Sequence, residues 1–303
     1  MTKTIGKSLC LAAPCKINLS LDICGRLPNG YHRMDMVMQT VDLCDRVRLT
    51  IGEPGLRMSG SDPALACDES NLCLRCAKAF YDDTKIPPQA DIYLEKHIPM
   101  QAGLGGGSAD GAAVLCGLNR LHRAGLSMEE LCRIGFALGA DIPFCIRGGT
   151  CRVQGAGEIL LPAPKLSEKL TVLLVKPRFS VSTKLAFQGF DRQKSPAHAD
   201  VEAMLLALEQ GDPALIGEKL ENVFEPYCQG EQRSAIGEIK DKMRSCGAVG
   251  ALMSGSGSAV FGLFLRPEEA GRCGELLSPD MEQVALAKPL SRGIFALCEE
   301  MAE

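Results

Sequence analysis

Three stretches of this chain carry residues of the kind that hold or move phosphate. The first is Pro99–Ala113, which reads P-M-Q-A-G-L-G-G-G-S-A-D-G-A-A, with glycines at Gly103, Gly105, Gly106 and Gly107. Glycine tolerates positive φ and lets backbone N–H groups approach a ligand closely, and converging N–H groups form an anion-binding nest. Ser108 follows where a helix N-cap is expected, and a helix over Ser108–Arg123 would point its positive end at a phosphate. A flexible linker is the plain alternative, but this stretch is flanked by a strand-like run (Ile92–Lys96) and an apolar helix. The second feature is a pair of isolated charges, Lys16 at a strand start and Asp141 in the apolar turn Ala140–Cys145. Each alone fits an ordinary half-exposed charge. Together they fit a buried pair in which the ammonium keeps the carboxylate ionised. The third, Ser254–Ser258, is another glycine/serine loop, which spacing alone fits equally to a hairpin turn.

Two common phosphate motifs fail here. Gly103-Leu-Gly105-Gly-Gly-Ser108 departs from the dinucleotide fingerprint at its third glycine, and it lies far from a first strand. A Walker A loop needs a Gly-Lys-Ser/Thr ending, which is absent. What remains is phosphoryl transfer of another design, where catalysis is mostly positioning, charge neutralisation and one group to handle the acceptor hydroxyl.

The elements that must position these residues follow from pattern. Leu9–Ala13 and Ile17–Cys24 read as strands joined through Pro14-Cys15-Lys16, the second with a half-buried alternation. Arg26–Gly30 is a turn marked by Asn29-Gly30, followed by Tyr31-His32. Met36–Val41 and Arg46–Ile51 read as strands, and Gly52–Cys67 as loop. Helices are expected over Asn71–Tyr81 and, behind a Ser127/Glu130 capping box, over Met128–Leu138. Thr150–Val153 and Leu170–Val175 read as strands, with Pro162–Ser167 the best boundary between lobes. Helices follow near Lys184–Gln188, Val201–Glu209, Pro213–Lys219, Gln232–Cys246 and Pro267–Leu277, with Phe190–Asp200 as loop. Ala248–Met253, Ala259–Leu265 and Ile294–Cys298 read as strands. The mixture suggests an α+β fold in two lobes.

Bulk properties exclude several classes. The 303 residues allow one large domain or two moderate ones. A net charge of −4 gives no footprint for nucleic acid, and no apolar run approaches the roughly 20 residues of a membrane helix. The polar start Met1–Ser8 has no signal-peptide core behind it. Fifteen cysteines form no metal or disulfide framework. Cys73-x-x-Cys76 lacks a second pair, and His32, His97, His122 and His198 miss metal-ligand spacings. Scattered thiols suggest a reducing cytoplasm.

Read together, the motifs resemble one family, in order. They are P-C-K-I-N-L-S-L-D-I at 14–23, G-R-L-P-N-G-Y-H at 25–32, I-P-M-Q-A-G-L-G-G-G-S-A-D at 98–110, L-G-A-D-I-P-F at 138–144 and G-A-L-M-S-G-S-G-S-A-V-F at 250–261. The family is the GHMP kinases. The P-x-K-I-N-L and G-Y-H stretches narrow the resemblance to its branch in non-mevalonate isoprenoid synthesis. The resemblance implies a two-lobed α+β fold of mixed and antiparallel sheets with helices. Residues 1–161 would be the ATP-binding lobe and 162–303 the C-terminal lobe, with the active site between them. It implies ATP as co-substrate with Mg²⁺, and a bacterial cytoplasmic enzyme that is a monomer or weak homodimer. The expected acceptor is a small molecule with a cytidine diphosphate group. Lys16 and Asp141 match the catalytic pair. Pro99, Met100, Gln101, Ala102, Gly103, Leu104, Gly105, Gly106, Gly107, Ser108 and Ala109 match the ATP phosphate loop, with Asn71 and Lys96 near adenine and ribose. Asn18, Tyr31 and His32 match the pocket for the cytidyl end, and Thr183 a position near the transfer site. Another GHMP kinase acting on mevalonate or homoserine is the alternative, as is a non-catalytic ligand sensor. Similar enzymes usually carry two serines after the glycines. Ala109 here leaves Ser108 as the loop's one hydroxyl for Mg²⁺ or phosphate, and Gly111 inside the helix would cost up to about 1 kcal/mol against alanine.

Overall fold

The computed structural model describes residues 7–193, 196–228 and 230–300. Most of the polar start read above, and two positions of the loop expected over Phe190–Asp200, lie outside the described residues. Two long strands organise the first half. Strand β1 (Lys7–Arg26) and strand β2 (His32–Ile51) run antiparallel from Lys7↔Ile51 to Arg26↔His32 around the turn at 27–31. Each was expected as two strands. The breaks are instead absorbed by register shifts at Pro14/Cys15 and Asn18/Ser20, since a bulge accommodates a residue that cannot pair. The expected half-buried alternation is also corrected, because β1 is buried on both faces. Ile17 and Leu19 belong to one core cluster and Leu21 and Ile23 to the other, while Lys16, Asn18, Ser20 and Asp22 are buried too. A polar row inside a core needs partners, and those partners are the site described below.

Strand β3 (Gly55–Gly60) lies in the stretch expected as loop and runs parallel to a later strand, β4. Helix α1 (Leu72–Thr84) is capped by Asn71, whose side chain accepts from Cys73 N. Strand β4 (Gln89–Glu95) then leads through the glycine loop to helix α2 (Gly106–His122). The expected N-cap is corrected: α2 begins at Gly106 with Gly105 as cap, in the left-handed region at φ 68°. Only glycine enters that conformation cheaply, so the cap falls on Gly105 and the Ser108 hydroxyl is not used for capping. Gly111 is explained by packing, because a Cβ there would meet Cys76 Sγ at 2.8 Å.

Helix α3 (Met128–Phe136) has the expected Ser127/Glu130 capping box, and helix α4 (Ile142–Arg147) starts immediately after Asp141. Strands β5 (Thr150–Gly155) and β6 (Ile159–Pro162) follow, then β7 (Thr171–Pro177). Helices α5 (Thr183–Asp191), α6 (Val201–Gln210) and α7 (Pro213–Glu218) precede the short strand β8 (Glu221–Asn222) and helix α8 (Gly230–Ser245). Strands β9 (Gly250–Met253) and β10 (Val260–Phe264), helix α9 (Pro267–Leu277), strand β11 (Met281–Ala287) and helix α10 (Ile294–Glu300) complete the chain. The terminal strand expected over 294–298 is therefore a helix. Ile294 and Cys298 are both buried, four residues apart and so on one helical face, and Arg120 donates to the Cys298 carbonyl.

The first sheet follows the path β3-β4-β2-β1-β8, with β5 pairing β2 and β6. The second is β11-β7-β10-β9. Strand β8 comes from the second half of the chain yet pairs parallel with β1, and α10 packs back on α2. The expected division at 161/162 falls inside β6, and β8 and α10 also cross it. No described helix is long and apolar enough to cross a membrane.

Candidate active site

The three stretches separated in sequence meet around Lys16. Its backbone N–H donates to Leu104 O at 3.0 Å, pinning the glycine loop to β1. The turn between β9 and β10 packs on the other side of that loop. Ala259 N donates to Ala102 O at 3.0 Å, and Ser254 Oγ donates to Gly103 O at 3.0 Å. Gly103 has φ +77°, and a Cβ there would lie 2.1 Å from Ser254 O, so two loops this close require glycine. The two readings of Ser254–Ser258 are thus both true, for it is a hairpin turn and a wall of the site. Asn222 holds this turn from behind, its Nδ2 donating to Met253 O and Gly255 O, each at 2.8 Å.

Lys16 Nζ lies 3.8 Å from Asp141 Oδ2, with side-chain exposures of 6% and 34%. The pair is therefore buried at its lysine end only, where a buried pair was expected. This asymmetry follows from local structure. Asp141 precedes α4, whose Ile142, Pro143 and Phe144 are drawn into the core. The carboxylate makes no capping bond and stays at the mouth of the site. Lys16 Nζ donates to Asn18 Oδ1 at 2.7 Å. Asn18, expected at the cytidyl end, is fully buried and its oxygen is engaged by the lysine.

A cavity of about 390 Å³ opens beside the glycine loop. Its wall runs from Pro99 to Ser108, omitting Gly103, and includes Asn71, Lys96 and Asp110. Gly103 faces the 254–258 turn instead, and Ala109 is fully buried. Another cavity, of about 400 Å³, lies between α8 and β8, but it has no glycine nest, and its Lys240 is paired with Glu225. Lys96 is at the expected place, yet its ammonium is not free. It binds Asp45 and, at 2.8 Å, Asp110 Oδ2. Burial, then the Asp45 charge, pushes the Asp110 carboxyl up to about 8 against the pull of Lys96. Lys96 is itself raised, because the two carboxylates outweigh its burial.

At the other end of the site, Tyr31 is 63% exposed. His32 stacks on Phe187 with centroids 4.4 Å apart and rings at 23°. His32 Nε2 lies 2.8 Å from Asp191 Oδ1, and Arg26 is 2.5 Å from Asp191 Oδ2. Burial raises the Asp191 carboxyl, but His32 and Arg26 together hold it below the ordinary value. Thr183 Oγ1 is 2.7 Å from Ser256 Oγ. Helix α5 thus begins beside the 254–258 turn and ends beside Tyr31-His32. Phe187, Asp191, Asn222 and Asp45 were not singled out from sequence. For Phe187 and Asp191 a signal existed, since they follow Thr183 at four-residue steps along one helical face. For Asp45 there was none, because Lys96 is 51 residues away.

Comparison with known proteins adds the family. Residues 71–149 match the GHMP kinases N terminal domain and residues 204–277 the GHMP kinases C terminal model. The chain is 36% identical to 4-diphosphocytidyl-2-C-methyl-D-erythritol kinase of Clostridium novyi (strain NT), over 92% of this chain and 99% of the relative. It is 37% identical to the protein of the same name from Alkaliphilus metalliredigens, over 94% and 98%. A crystal structure of 4-(cytidine 5'-diphospho)-2C-methyl-D-erythritol kinase superposes with a TM-score of 0.77 at 31% identity, covering 92% of this chain and 99% of that one. A homoserine kinase from Cytophaga hutchinsonii gives the same score of 0.77 at 21% identity, over 97% and 98%. At that identity the likeness concerns the fold alone.

Proposed function

The chain belongs to the GHMP kinases, and from that premise we propose that it transfers the γ-phosphate of ATP to the 2-hydroxyl of 4-diphosphocytidyl-2-C-methyl-D-erythritol. The carrying observation is the Lys16–Asp141 pair, 3.8 Å apart, set directly against the glycine loop. In the proposed step Asp141 takes the hydroxyl proton, the freed oxygen attacks the γ-phosphorus, and the bond to the bridging β–γ oxygen breaks to release ADP. Lys16 offsets the negative charge on the carboxylate and on the developing alkoxide. Backbone N–H groups of Gly105–Ser108 receive the phosphates. Tyr31, His32 and Phe187 form the aromatic and hydrogen-bonding end suited to a nucleobase.

Among the described residues no cluster of three His, Cys, Asp or Glu side chains could hold a metal. Mg²⁺ fits here as an ion that enters on the phosphates and takes at most one or two protein oxygens, and Ser108, free of a capping bond, would supply one. Bound there it neutralises phosphate charge. The reading places the enzyme in the bacterial cytoplasm, as a monomer or weak homodimer, within isoprenoid precursor synthesis. Free thiols throughout the described chain suit a reducing compartment.

The test is ADP release with purified protein offered the cytidyl substrate, mevalonate and homoserine in parallel. Turnover confined to the cytidyl substrate is expected. Equal turnover of all three, or preference for mevalonate or homoserine, would overturn the assignment, and ligand binding without turnover would favour a sensor.

A further inference from the structure

The wall of the nucleotide cavity holds a charge cluster that the transfer step does not use. Asp45, at the bend within β2, is fully buried, Lys96 is 9% exposed and Asp110 is 4% exposed at the side chain. Asp45 Oδ1 accepts from His97 N at 2.6 Å and from Ile98 N at 2.8 Å. Its Oδ2 accepts from Lys96 Nζ, which also donates to Asp110 Oδ2 at 2.8 Å. His97 and Ile98 open the glycine loop. Asp110 sits one turn into α2, immediately past its end. A Cβ on Gly106 would lie 3.3 Å from Lys96 Nζ and 3.1 Å from Ile98 Cγ2, so the ammonium lies directly under the loop's last glycines.

Three buried ionisable groups are costly to desolvate, and with the Asp110 carboxyl pushed up to about 8 the charged centre of the cluster is the Asp45–Lys96 pair. Two carboxyl groups on one ammonium are not the composition that stability alone would select, because a packed apolar trio of similar volume does as well. Here they connect three elements: β2 through Asp45, the exit of β4 through Lys96, and α2 through Asp110. Between the last two runs the glycine loop, rich in residues with broad conformational freedom. Asp110 Oδ1 has no hydrogen-bond partner, and Oδ2 is held by Lys96.

We propose that Asp45, Lys96 and Asp110 form a clasp that ties the start of the phosphate loop to its end, and that its purpose is to preorganise the loop's N–H groups for the nucleotide. They are positioning residues. Asp45 is outside the cavity wall, so its effect on nucleotide binding is carried by the groups it holds, His97 N and Ile98 N at the start of the loop and Lys96 in the wall. Preorganisation raises affinity by removing ordering costs at binding, and the clasp supplies it for ATP rather than for the acceptor alcohol. The inference rests on the kinase reading above.

The experiment compares Asp45→Asn and Asp110→Asn with the unaltered protein, measuring KM for ATP, KM for the cytidyl substrate, Kd for a fluorescent ATP analogue, and the melting temperature. Both variants are expected to raise KM and Kd for the nucleotide by about tenfold or more, with KM for the alcohol within about twofold. A purely structural role would lower the melting temperature and the folded fraction while leaving nucleotide KM in the folded molecules unchanged, and that result overturns the clasp. If Asp45→Asn does not fold, Asp45→Glu, which keeps the charge but moves the carboxylate off His97 N and Ile98 N, takes its place under the same two outcomes. Failure of the unaltered protein to turn over ATP would refute the kinase reading instead, which keeps the two failures distinct.

Discussion

Replacing Gly105 by alanine puts a methyl group 2.9 Å from Lys16 Cγ and 3.7 Å from Asp141 Oδ2, at a backbone φ of +68°. Two costs can be separated. A residue with a Cβ in the left-handed region loses about 1–2 kcal/mol, a melting-point drop of several degrees at roughly 2–4 °C per kcal/mol. Ordinary carbon–carbon contact needs about 3.5–4.0 Å, so the lysine stem must retreat by roughly 0.6–1 Å. A misplacement near 1 Å in a reacting constellation costs about a hundredfold, so kcat is expected to fall by about 10- to 100-fold. The companion variant is Gly107→Ala, whose Cβ would meet nothing within 4 Å. It lies in α2, where alanine is favoured by up to about 1 kcal/mol, so its melting temperature holds or rises. Both are assayed by coupled ADP release well below their melting points. If Gly105→Ala melts early but keeps kcat within about threefold, the loop does not place Lys16. A Gly107→Ala kcat loss as large as that of Gly105→Ala would equally refute the argument, since it would trace the effect to phosphate access.

Asp141→Asn is expected to lower kcat by about a hundredfold or more with KM for the alcohol nearly unchanged, and a kcat within a few fold would show that Asp141 only orients. The thiols divide by burial. Native protein titrated with a disulfide reagent at neutral pH should react at exposed Cys10 and Cys67. Cys15 and Cys73, whose thiols are pushed well up by burial before any neighbouring charge, should stay silent until unfolding, and rapid native labelling of Cys15 would contradict its packing beside Lys16. His122, 2.9 Å from the Tyr81 hydroxyl, is held below the ordinary histidine value, by burial first and then by Lys7. A lowered folded-state pKa means the contribution is intact above about pH 6.5 and is lost as pH falls through the folded value. Melting temperature should therefore drop from pH 7 to pH 5 more steeply in the unaltered protein than in His122→Gln, and equal slopes would remove His122 from the account.

Local chemistry was legible in the chain wherever the reason for a residue lies within a few positions of it. The Ser127/Glu130 capping box, the Asn29-Gly30 turn and the helix behind the glycines are all of this kind. The failures share one cause. Pro14 read as a strand break because its missing N–H is a local fact, whereas the bulge that tolerates it depends on Cys44 across the sheet. Ser108 read as the cap because serine is a good one, whereas the cap falls on Gly105, left-handed at φ 68° and packed against the Lys16 stem. Ile294–Cys298 read as a strand from apolar content, but its burial against α2 selects a helix.

The sequence by itself determined which residue types are on hand: a glycine run suited to phosphate, a lysine and a carboxylate suited to transfer, and a Tyr-His pair suited to a base. Each is a residue type whose capacity does not depend on where the chain goes. Only the tertiary structure decided how those parts are shared out. It bound Lys96 to Asp45 and Asp110 and brought Phe187 and Asp191 to His32. The physical reason is that a buried polar group is defined by its partner, and Lys96 and His32 find theirs in distant stretches of chain.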